Sequence, residues 1–364
     1  MVLERLSILN YKNISQADLE FSPGINCFIG SNGEGKTNMI DAVYFLSFTK
    51  SATNSVDSLN IRHGEEYMML KGEYNIDGRT EVVSCGLKAH QKKQFRRGDK
   101  PYKRMAEHIG LLPLILVSPN DQELILGGSE NRRRFIDSVI SQYNPLYLSY
   151  LQKYNKALLQ RNTLLRQEEN ISEELLDAFE EIMAETGEWI FHERKSFIQA
   201  FIPVFQDYYQ KISSSKETVG IEYKSHCERG PLLETIRKDR YKDIAVGYSL
   251  HGIHKDDIVM TQNGFPIKKE ASQGQSKTYL ISLKLSQFNF LKETGSHTTP
   301  LLLLDDIFDK LDAQRVSNII ELVSAKNFGQ IFITDTNREN LDRIIGGMNG
   351  NHKIFTVKGG EISS

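Results

Sequence analysis

The fold is decided by the segment Gly30-Ser31-Asn32-Gly33-Glu34-Gly35-Lys36-Thr37. It fits G-x-x-x-x-G-K-[ST] at every fixed position, and it lies between an apolar run that ends at Ile29 and a helical pattern over residues 39–48. Glycines let the backbone pass close to phosphates, and N–H groups of the loop and of the helix start attract negative charge. Residues 30–37 are therefore predicted to form a phosphate loop between a strand and a helix.

The phosphate loop also assigns roles to its last two residues. We expect Lys36 to contact the β- and γ-phosphates of a nucleotide and to act in catalysis, and the Thr37 hydroxyl to hold Mg²⁺. Such a site needs an acidic residue at a second strand end. The apolar run 301–304 ends in Asp305-Asp306, so we expect Asp305 to hold Mg²⁺ and Asp306 to orient or deprotonate the attacking water.

The ends of the chain have α/β patterns, and the middle has a helical one. Continuous apolar runs such as 25–29 and 331–333 are typical of strands buried on both faces of a sheet. From about residue 130 to residue 209, apolar residues recur at three- and four-residue steps, which predicts helices. Residues 219–223 and 245–250 have strand-like patterns.

The simplest organisation is an α/β domain made from both ends of the chain. Residues 1–130 and 245–364 would form that domain, and residues 131–244 would form a mostly helical lobe inserted between them. The 364 residues are enough for two such cores.

The composition excludes several classes of protein. With 45 Lys and Arg against 47 Asp and Glu, the net charge of −2 excludes a globally basic nucleic-acid binder, but not a local basic patch. No apolar stretch reaches the roughly 20 residues that cross a bilayer, and we expect no signal peptide and no membrane association. The three cysteines are widely spaced and odd in number, which favours reduced thiols in the cytoplasm over disulfides or a zinc site.

Two blocks of opposite charge stand out. Residues 168–188 hold nine acidic residues and no basic one, at a spacing that predicts a helix with a solvated acidic face. Residues 88–104 hold eight basic residues against Asp99 and predict a hairpin with a dense positive surface. Such a block fits either a charged edge strand or a surface that contacts DNA or RNA. The candidate DNA contacts are Lys92, Lys93, Arg96, Arg97, Lys100, Lys103 and Arg104.

A further motif, Ser272-Gln273-Gly274-Gln275, precedes an amphipathic helical run over residues 276–291. Ser272 suits a helix cap, and Gly274 allows close approach of a phosphate. The motif follows the phosphate loop and precedes Asp305, an order that resembles the ABC-type ATPases. In that family the S-G-G-Q signature of one subunit closes on the γ-phosphate held by the other, which implies two ATP molecules buried between two subunits.

Several segments together resemble the RecF family, bacterial recombination and repair proteins related to the heads of SMC-type chromosome-maintenance proteins. The resemblance runs nearly end to end and is carried by Asn10-Tyr11-Lys12-Asn13, Ser118-Pro119-Asn120-Asp121, residues 127–137, Gly252-Ile253-His254-Lys255-Asp256-Asp257 and the signature at 272–275. The departures from the family pattern are Asn120, Gln122, Ile253 and Lys255. Asp335 stands where transporter-type ABC ATPases have a switch histidine.

The resemblance implies an ABC-type ATPase head with ATP and Mg²⁺ as cofactors, and a homodimer that forms on ATP. It places Lys12 and Asn13 at the ATP together with Gly30, Ser31, Asn32, Gly33, Glu34, Gly35, Lys36 and Thr37. It also implies binding to gapped or double-stranded DNA without sequence specificity, and recombinase loading in repair, replication restart and the SOS response. RecO and RecR are the implied partners, and slow ATP hydrolysis would time the dimer.

Two alternatives remain open at this point. The nucleotide-binding subunit of a membrane transporter fits the phosphate loop, but the helical insertion and the missing switch histidine argue against it. A short SMC-like head is nearer, although the roughly 115 residues between positions 134 and 248 leave no room for a long coiled coil. A nuclease is disfavoured because the sequence has no further acidic or histidine cluster with metal-ligand spacing.

Overall fold

In the computed structural model of the chain, the described residues are 1–167, 172–214, 217–294, 298–309, 311–324, 328–336, 338, 342, 345–346 and 351–364. The acidic block predicted at 168–188 begins outside this set, because Glu168 and Glu169 are not among the described residues. The prediction of a solvated acidic face is wrong at Glu180, which is fully buried and accepts hydrogen bonds from Arg161 and Arg240.

The strands are β1 (Val2–Tyr11), β2 (Ile14–Glu20), β3 (Ile25–Ile29), β4 (Tyr67–Ile76), β5 (Arg79–Lys88), β6 (Gln94–Arg97), β7 (Lys100–Pro101), β8 (Leu114–Val117), β9 (Val219–Lys224), β10 (Asp257–Gln262), β11 (Phe265–Pro266), β12 (Leu301–Asp305), β13 (Ile331–Asp335), β14 (His352–Lys358) and β15 (Glu361–Ser363). The helices are α1 (Lys36–Phe48), α2 (Glu123–Leu126), α3 (Ser129–Tyr143), α4 (Pro145–Leu165), α5 (Glu173–Ser213), α6 (Leu232–Lys238), α7 (Arg240–Val246), α8 (Ile267–Glu270), α9 (Gln273–Thr294) and α10 (Ala313–Ser324).

One sheet has the strand order β15-β14-β3-β13-β12-β8, and its strands from β14 to β8 run parallel. The leucines of β12 are buried on both faces, as the continuous apolar run predicts. Parallel neighbours bring their carboxyl ends to one edge, so that Asp305 is paired with Thr334 and Asp335 with Ile29. Ligands of open parallel sheets bind at this edge.

A second sheet is antiparallel, with the order β2-β1-β4-β5-β6-β7. Its buried face shares one apolar core with α1 and the parallel sheet, a cluster that includes Ile40, Leu70 and Phe332. The hairpin predicted in the basic block is confirmed: β5 pairs with β6, and β6 turns at Gly98-Asp99 to pair with β7.

The chain divides into two compact units. The head comprises Met1–Asp121, Tyr208–Ser215 and Gln273–Ser364, and it holds both of these sheets. The lobe comprises Gln122–Asp207 and Lys216–Ser272, and it is mostly helical with a small sheet of order β11-β10-β9. The boundaries 131–244 of the inserted lobe stay a prediction. No helix within the described residues is both long enough and apolar enough to cross a membrane.

The strand predicted at 245–250 is wrong. Helix α7 ends at Val246, and the following Gly247 has a φ of 76° and donates its N–H to the carbonyl of Asp243. The N–H of Ser249 donates to the side chain of Asn162 at 2.8 Å. A side-chain acceptor therefore satisfies backbone that a strand would have paired with a neighbour.

Candidate functional site

The phosphate loop connects β3 to α1 at the carboxyl edge of the parallel sheet. Gly35 precedes α1 with a φ of 114°, a left-handed conformation that favours glycine, and no described side chain caps the helix. Gly30 is needed for a different reason, because a Cβ there would collide with the carbonyl oxygen of Val357. The uncapped N–H groups of α1 can therefore serve an anion.

Lys36 extends back over the loop that precedes it. Its Nζ donates to the carbonyl oxygens of Gly30 at 2.6 Å and Ser31 at 2.9 Å, and only 6% of the residue is exposed. The structure thus places the Lys36 ammonium inside the curve of the phosphate loop, together with the helix start.

Thr37 and Asp305 meet although 268 positions separate them in the chain. The Thr37 hydroxyl lies 3.1 Å and 3.0 Å from the two carboxylate oxygens of Asp305. Thr334 on β13 donates from its hydroxyl to Asp305 at 2.6 Å and accepts from the N–H of Asp306 at 3.0 Å. Asp306 has a φ of 50°, so it leaves the strand in a left-handed turn.

The donor set suits a hard divalent cation. Mg²⁺ takes oxygen ligands and keeps waters and phosphate oxygens, so a protein supplies it with only one or two groups. The Thr37 hydroxyl and the Asp305 carboxylate are such groups, and they already converge. The described residues contain no cluster of three or more His, Cys, Asp or Glu side chains that could hold a metal without such help.

Burial raises the pKa of Asp305, and the nearby charge of Asp306 acts in the same direction. Hydrogen bonds from Thr334 and Thr37 oppose this rise, and so does the charge of Lys36. The carboxylate is therefore costly to ionise in the folded chain, and a cation held beside it would favour the ionised form.

Asn13 and the C-terminal turn support the phosphate loop. The Asn13 side chain donates to the carbonyl of Glu34 at 3.1 Å and accepts from Asn38 at 2.8 Å. Gly360 donates its N–H to the same Glu34 carbonyl at 2.9 Å, and a Cβ at Gly360 would collide with the backbone of Asn13. Asn13 therefore lies against the phosphate loop, and its contact with ATP stays a prediction.

Lys12 is placed differently from the other predicted ATP contacts. Its ammonium forms a buried ion pair with Asp41 of α1 and donates to Thr53 at 2.6 Å. Asp41 also accepts from Tyr11 at 2.6 Å and from Ser51 at 2.7 Å. Asp41 lies one helical turn beyond Thr37, so Lys12 is a neighbour of α1 rather than of the loop, and its contact with ATP stays a prediction.

A cavity of about 190 Å³ lies beside Thr37 and Asp305. Asp41, Thr53 and the segment after β8, Ser118-Pro119-Asn120, also line it. In the sequence, this segment is only one of the marks of the family resemblance. Its position after a parallel strand was the signal that it would join the edge where ligands bind.

Comparison with known proteins decides the family. The model for the RecF/RecN/SMC N terminal domain matches residues 2–362. A Phocaeicola vulgatus protein named "DNA replication and repair protein RecF" is 58% identical over 364 residues, which are 100% of this chain and 98% of that protein. This chain belongs to the RecF family.

Solved structures agree with this membership. A structure of the recombination mediator protein RecF-ATP in the RecFOR pathway has a TM-score of 0.89 at 28% identity, and the match covers 100% of this chain and 97% of that one. An Smc head bound to the C-winged helix domain of ScpA has a TM-score of 0.60 at 16% identity over 100% and 96% of the two chains, which shows the fold alone. The predicted ABC-type head with a helical lobe is confirmed, and the RecF family, one of DNA replication and repair, is favoured over a transporter subunit.

The RecF-like signature, Ser272 to Gln275, lies at the start of α9. Ser272 is exposed, and the Thr278 hydroxyl donates to the carbonyl of Gly274 one turn into the helix. Because Ser272 is exposed at the start of a long helix, a second subunit could reach it. Its action on a second subunit stays a prediction.

Two of the cations predicted to contact DNA on the basic hairpin are bonded to other residues of the chain. Lys93 is half-buried and bonds to the Thr49 carbonyl at 2.6 Å and to Asp57 at 2.9 Å. Arg97 makes two hydrogen bonds to Glu81, at 2.8 Å and 2.7 Å. The remaining predicted DNA contacts are exposed, and no acidic partner is described for them: Lys92, Arg96, Lys100, Lys103 and Arg104.

Asp305→Asn should stabilise the folded chain at neutral pH in EDTA. Because the folded-state pKa of Asp305 is raised, stability falls as pH rises through that pKa, and asparagine has no charge to bury. Urea unfolding at about pH 7.5 should give a higher free energy of unfolding for the variant, with the difference shrinking toward about pH 4. The exposed control Asp18→Asn should follow wild type. A variant less stable than wild type at neutral pH would contradict this account.

Proposed function

We propose that this chain binds ATP and Mg²⁺ at the phosphate loop and closes as an ATP-dependent homodimer on DNA. The observation that carries the proposal is the meeting of Thr37 and Asp305 beside an uncapped helix start and the Lys36 ammonium. The related RecF-ATP structure supports ATP as the nucleotide.

Each residue of the site has a distinct task in this proposal. Lys36 exchanges its bonds with the loop carbonyls for bonds to the β- and γ-phosphates, which its charge stabilises. Thr37 and Asp305 hold Mg²⁺, which neutralises phosphate charge when bound. Asp306, held by the Thr334 hydroxyl through its own N–H, orients or deprotonates the attacking water.

The dimer completes the site from the second subunit. Ser272 and the start of α9 in one subunit close on the γ-phosphate held by the other, where the helix start favours negative charge. ATP then favours the dimer to the extent that the dimer binds ATP more tightly than the monomer does. Asp306 is shorter than the Glu usual in transporters, and Asp335 replaces their switch histidine, so we expect weak ATPase activity that times the dimer.

DNA is the proposed ligand of the exposed cations on the basic hairpin. Lys and Arg contact phosphates without reading bases, so binding would follow the shape of double-stranded or gapped DNA rather than its sequence. Because the chain belongs to the RecF family, we also propose recombinase loading at gaps, RecO- and RecR-type partners, and a cytoplasmic location. The free thiols of the three cysteines are consistent with that location.

Two defective variants should complement each other. Lys36→Ala should lose ATP binding, and Ser272→Arg should bind ATP as a monomer but neither dimerise nor hydrolyse it. A mixed dimer pairs the intact phosphate loop of one variant with the intact signature of the other, so the mixture should recover part of the wild-type ATPase rate. ATPase assays of each variant alone and of the mixture measure this. A mixture as inactive as its parts, or a Ser272→Arg chain that dimerises normally, would contradict closure in trans.

Removing exposed hairpin charge should weaken DNA binding and its salt dependence together. Each lost phosphate contact flattens the slope of log K against log salt by about 0.9, so Lys92→Gln with Arg96→Gln should flatten it by about 1.8. The matched control is Lys153→Gln with Lys156→Gln, two exposed lysines on α4. Fluorescence anisotropy with duplex DNA across a salt series measures the slopes. Equal slopes for the hairpin variant and wild type would contradict the proposal and show that the basic block is only a charged edge strand.

A further inference from the structure

Helix α7 of the lobe presents apolar side chains to solvent. It has seven residues, Asp243 is its one buried side chain, and Tyr241, Ile244 and Val246 are 67%, 41% and 46% exposed. Tyr248, just after the helix, is 43% exposed. A helix this short is not stable on its own, and an apolar face that is not used for packing marks a binding surface.

A buried polar network holds this surface rigidly. Arg161 donates to the Asp243 carboxylate at 2.8 Å and to the Ser249 hydroxyl at 2.7 Å, and Arg161 and Asp243 are fully buried. Asp243 also accepts the N–H of Leu250 at 3.0 Å. The backbone from Asp243 to Leu250 is thereby held at both ends, so it loses little freedom when a ligand binds.

The apolar surface continues onto α4. Ser249 bonds to Asn162, and a Cβ at Gly247 would touch the side chain of Arg166. Leu159 lies on the same face of α4 as Asn162, three residues away, and it is 67% exposed. Arg166 directly follows the last residue of α4. We call the set Leu159, Tyr241, Ile244, Val246 and Tyr248 the tyrosine patch.

Cations surround the tyrosine patch. Lys242 lies over the Tyr241 ring at 5.5 Å from its centroid, and Lys255 lies over the Tyr248 ring at 5.0 Å. Arg166 and Lys255 are exposed, and within the described part of the chain neither has a carboxylate partner. The carboxylates nearby are already engaged, since Asp239 pairs with Lys242 and His251 while Asp243 pairs with Arg161. Arg166 and Lys255 therefore remain available to hold phosphates.

We propose that the tyrosine patch binds single-stranded DNA, with bases stacked on Tyr241 and Tyr248 and phosphates held by Arg166 and Lys255. Single-stranded nucleic acid binds to exposed aromatic rings, on which its bases stack, and to nearby cations, which hold its phosphates. The bases of a duplex are already stacked on one another and cannot reach such rings. The proposal rests on the DNA function proposed above and deepens it. The head hairpin takes duplex phosphates, and the lobe takes the unpaired strand of a gap.

Photo-crosslinking locates the site directly. A single-stranded oligothymidine carrying 5-iododeoxyuridine, irradiated with the wild-type chain, should crosslink at Tyr241 or Tyr248, as read by mass spectrometry of tryptic peptides. Crosslinks confined to other peptides would overturn the proposal. This measurement needs no variant, so it does not depend on how a substituted chain folds.

Affinity measurements separate stacking from general charge. Stacking on one aromatic side chain contributes about 1–3 kcal/mol, and two rings contribute at least about 2 kcal/mol. Tyr241→Ala with Tyr248→Ala should therefore weaken oligothymidine binding by about 30-fold or more, as measured by anisotropy. Tyr241→Phe with Tyr248→Phe keeps the rings and should bind like wild type. Unchanged oligothymidine affinity in the alanine variant, or no oligothymidine binding by wild type, would make the patch a surface for another partner and overturn the proposal. Duplex affinity should be unchanged in both variants, so failure here is distinct from loss of duplex binding, which would contradict the proposed function itself.

Discussion

The contact between Thr37 and Asp305 is the constraint on which the head depends. It joins the first turn of α1 to the end of β12, residues that are 268 positions apart. Only a parallel sheet in which β3, β13 and β12 are neighbours brings these two chain segments to one edge in this register. The ends of the chain therefore have to fold together before the site exists, and the lobe is accommodated between them in sequence.

The same contact explains why the site is costly in the folded chain. Asp305 is buried at 3% exposure, and its raised pKa records the penalty of keeping a carboxylate there. The hydroxyls of Thr37 and Thr334 offset part of that penalty, and a cation would offset the remainder. An unfavourable charge held in place by two hydroxyls fits the proposed metal and nucleotide site better than a site optimised for stability.

The backbone plan of the site could be predicted from the sequence, but most of its side-chain partners could not. The phosphate loop and the run ending at Asp305 have local patterns that predict their strands and helix. Thr334 has no such pattern, because its role depends on the pairing of β13 with β12. The pairing of Lys12 with Asp41 could not be predicted either, because it also depends on how distant segments pack.

Charge patterns were informative about segments and misleading about individual residues. The basic block is a hairpin, yet Lys93 and Arg97 are held by acids from other segments. In the acidic block, Glu180 is buried with Arg161 rather than solvated. The 245–250 segment failed as a strand because Asp243 and Asn162 supply acceptors to its backbone. In each case a partner outside the segment decided the outcome.

We propose that the Thr37–Asp305 site holds Mg-ATP and that bound ATP closes two chains together. Sedimentation velocity of Asp306→Asn tests it most directly, because this variant keeps the metal ligand and loses the group assigned to the attacking water. With ATP and Mg²⁺ the variant should sediment as a stable dimer of the 41.6 kDa chain, and with ADP and Mg²⁺ as a monomer. A monomer under both conditions, or the same dimer with ADP as with ATP, would contradict the account.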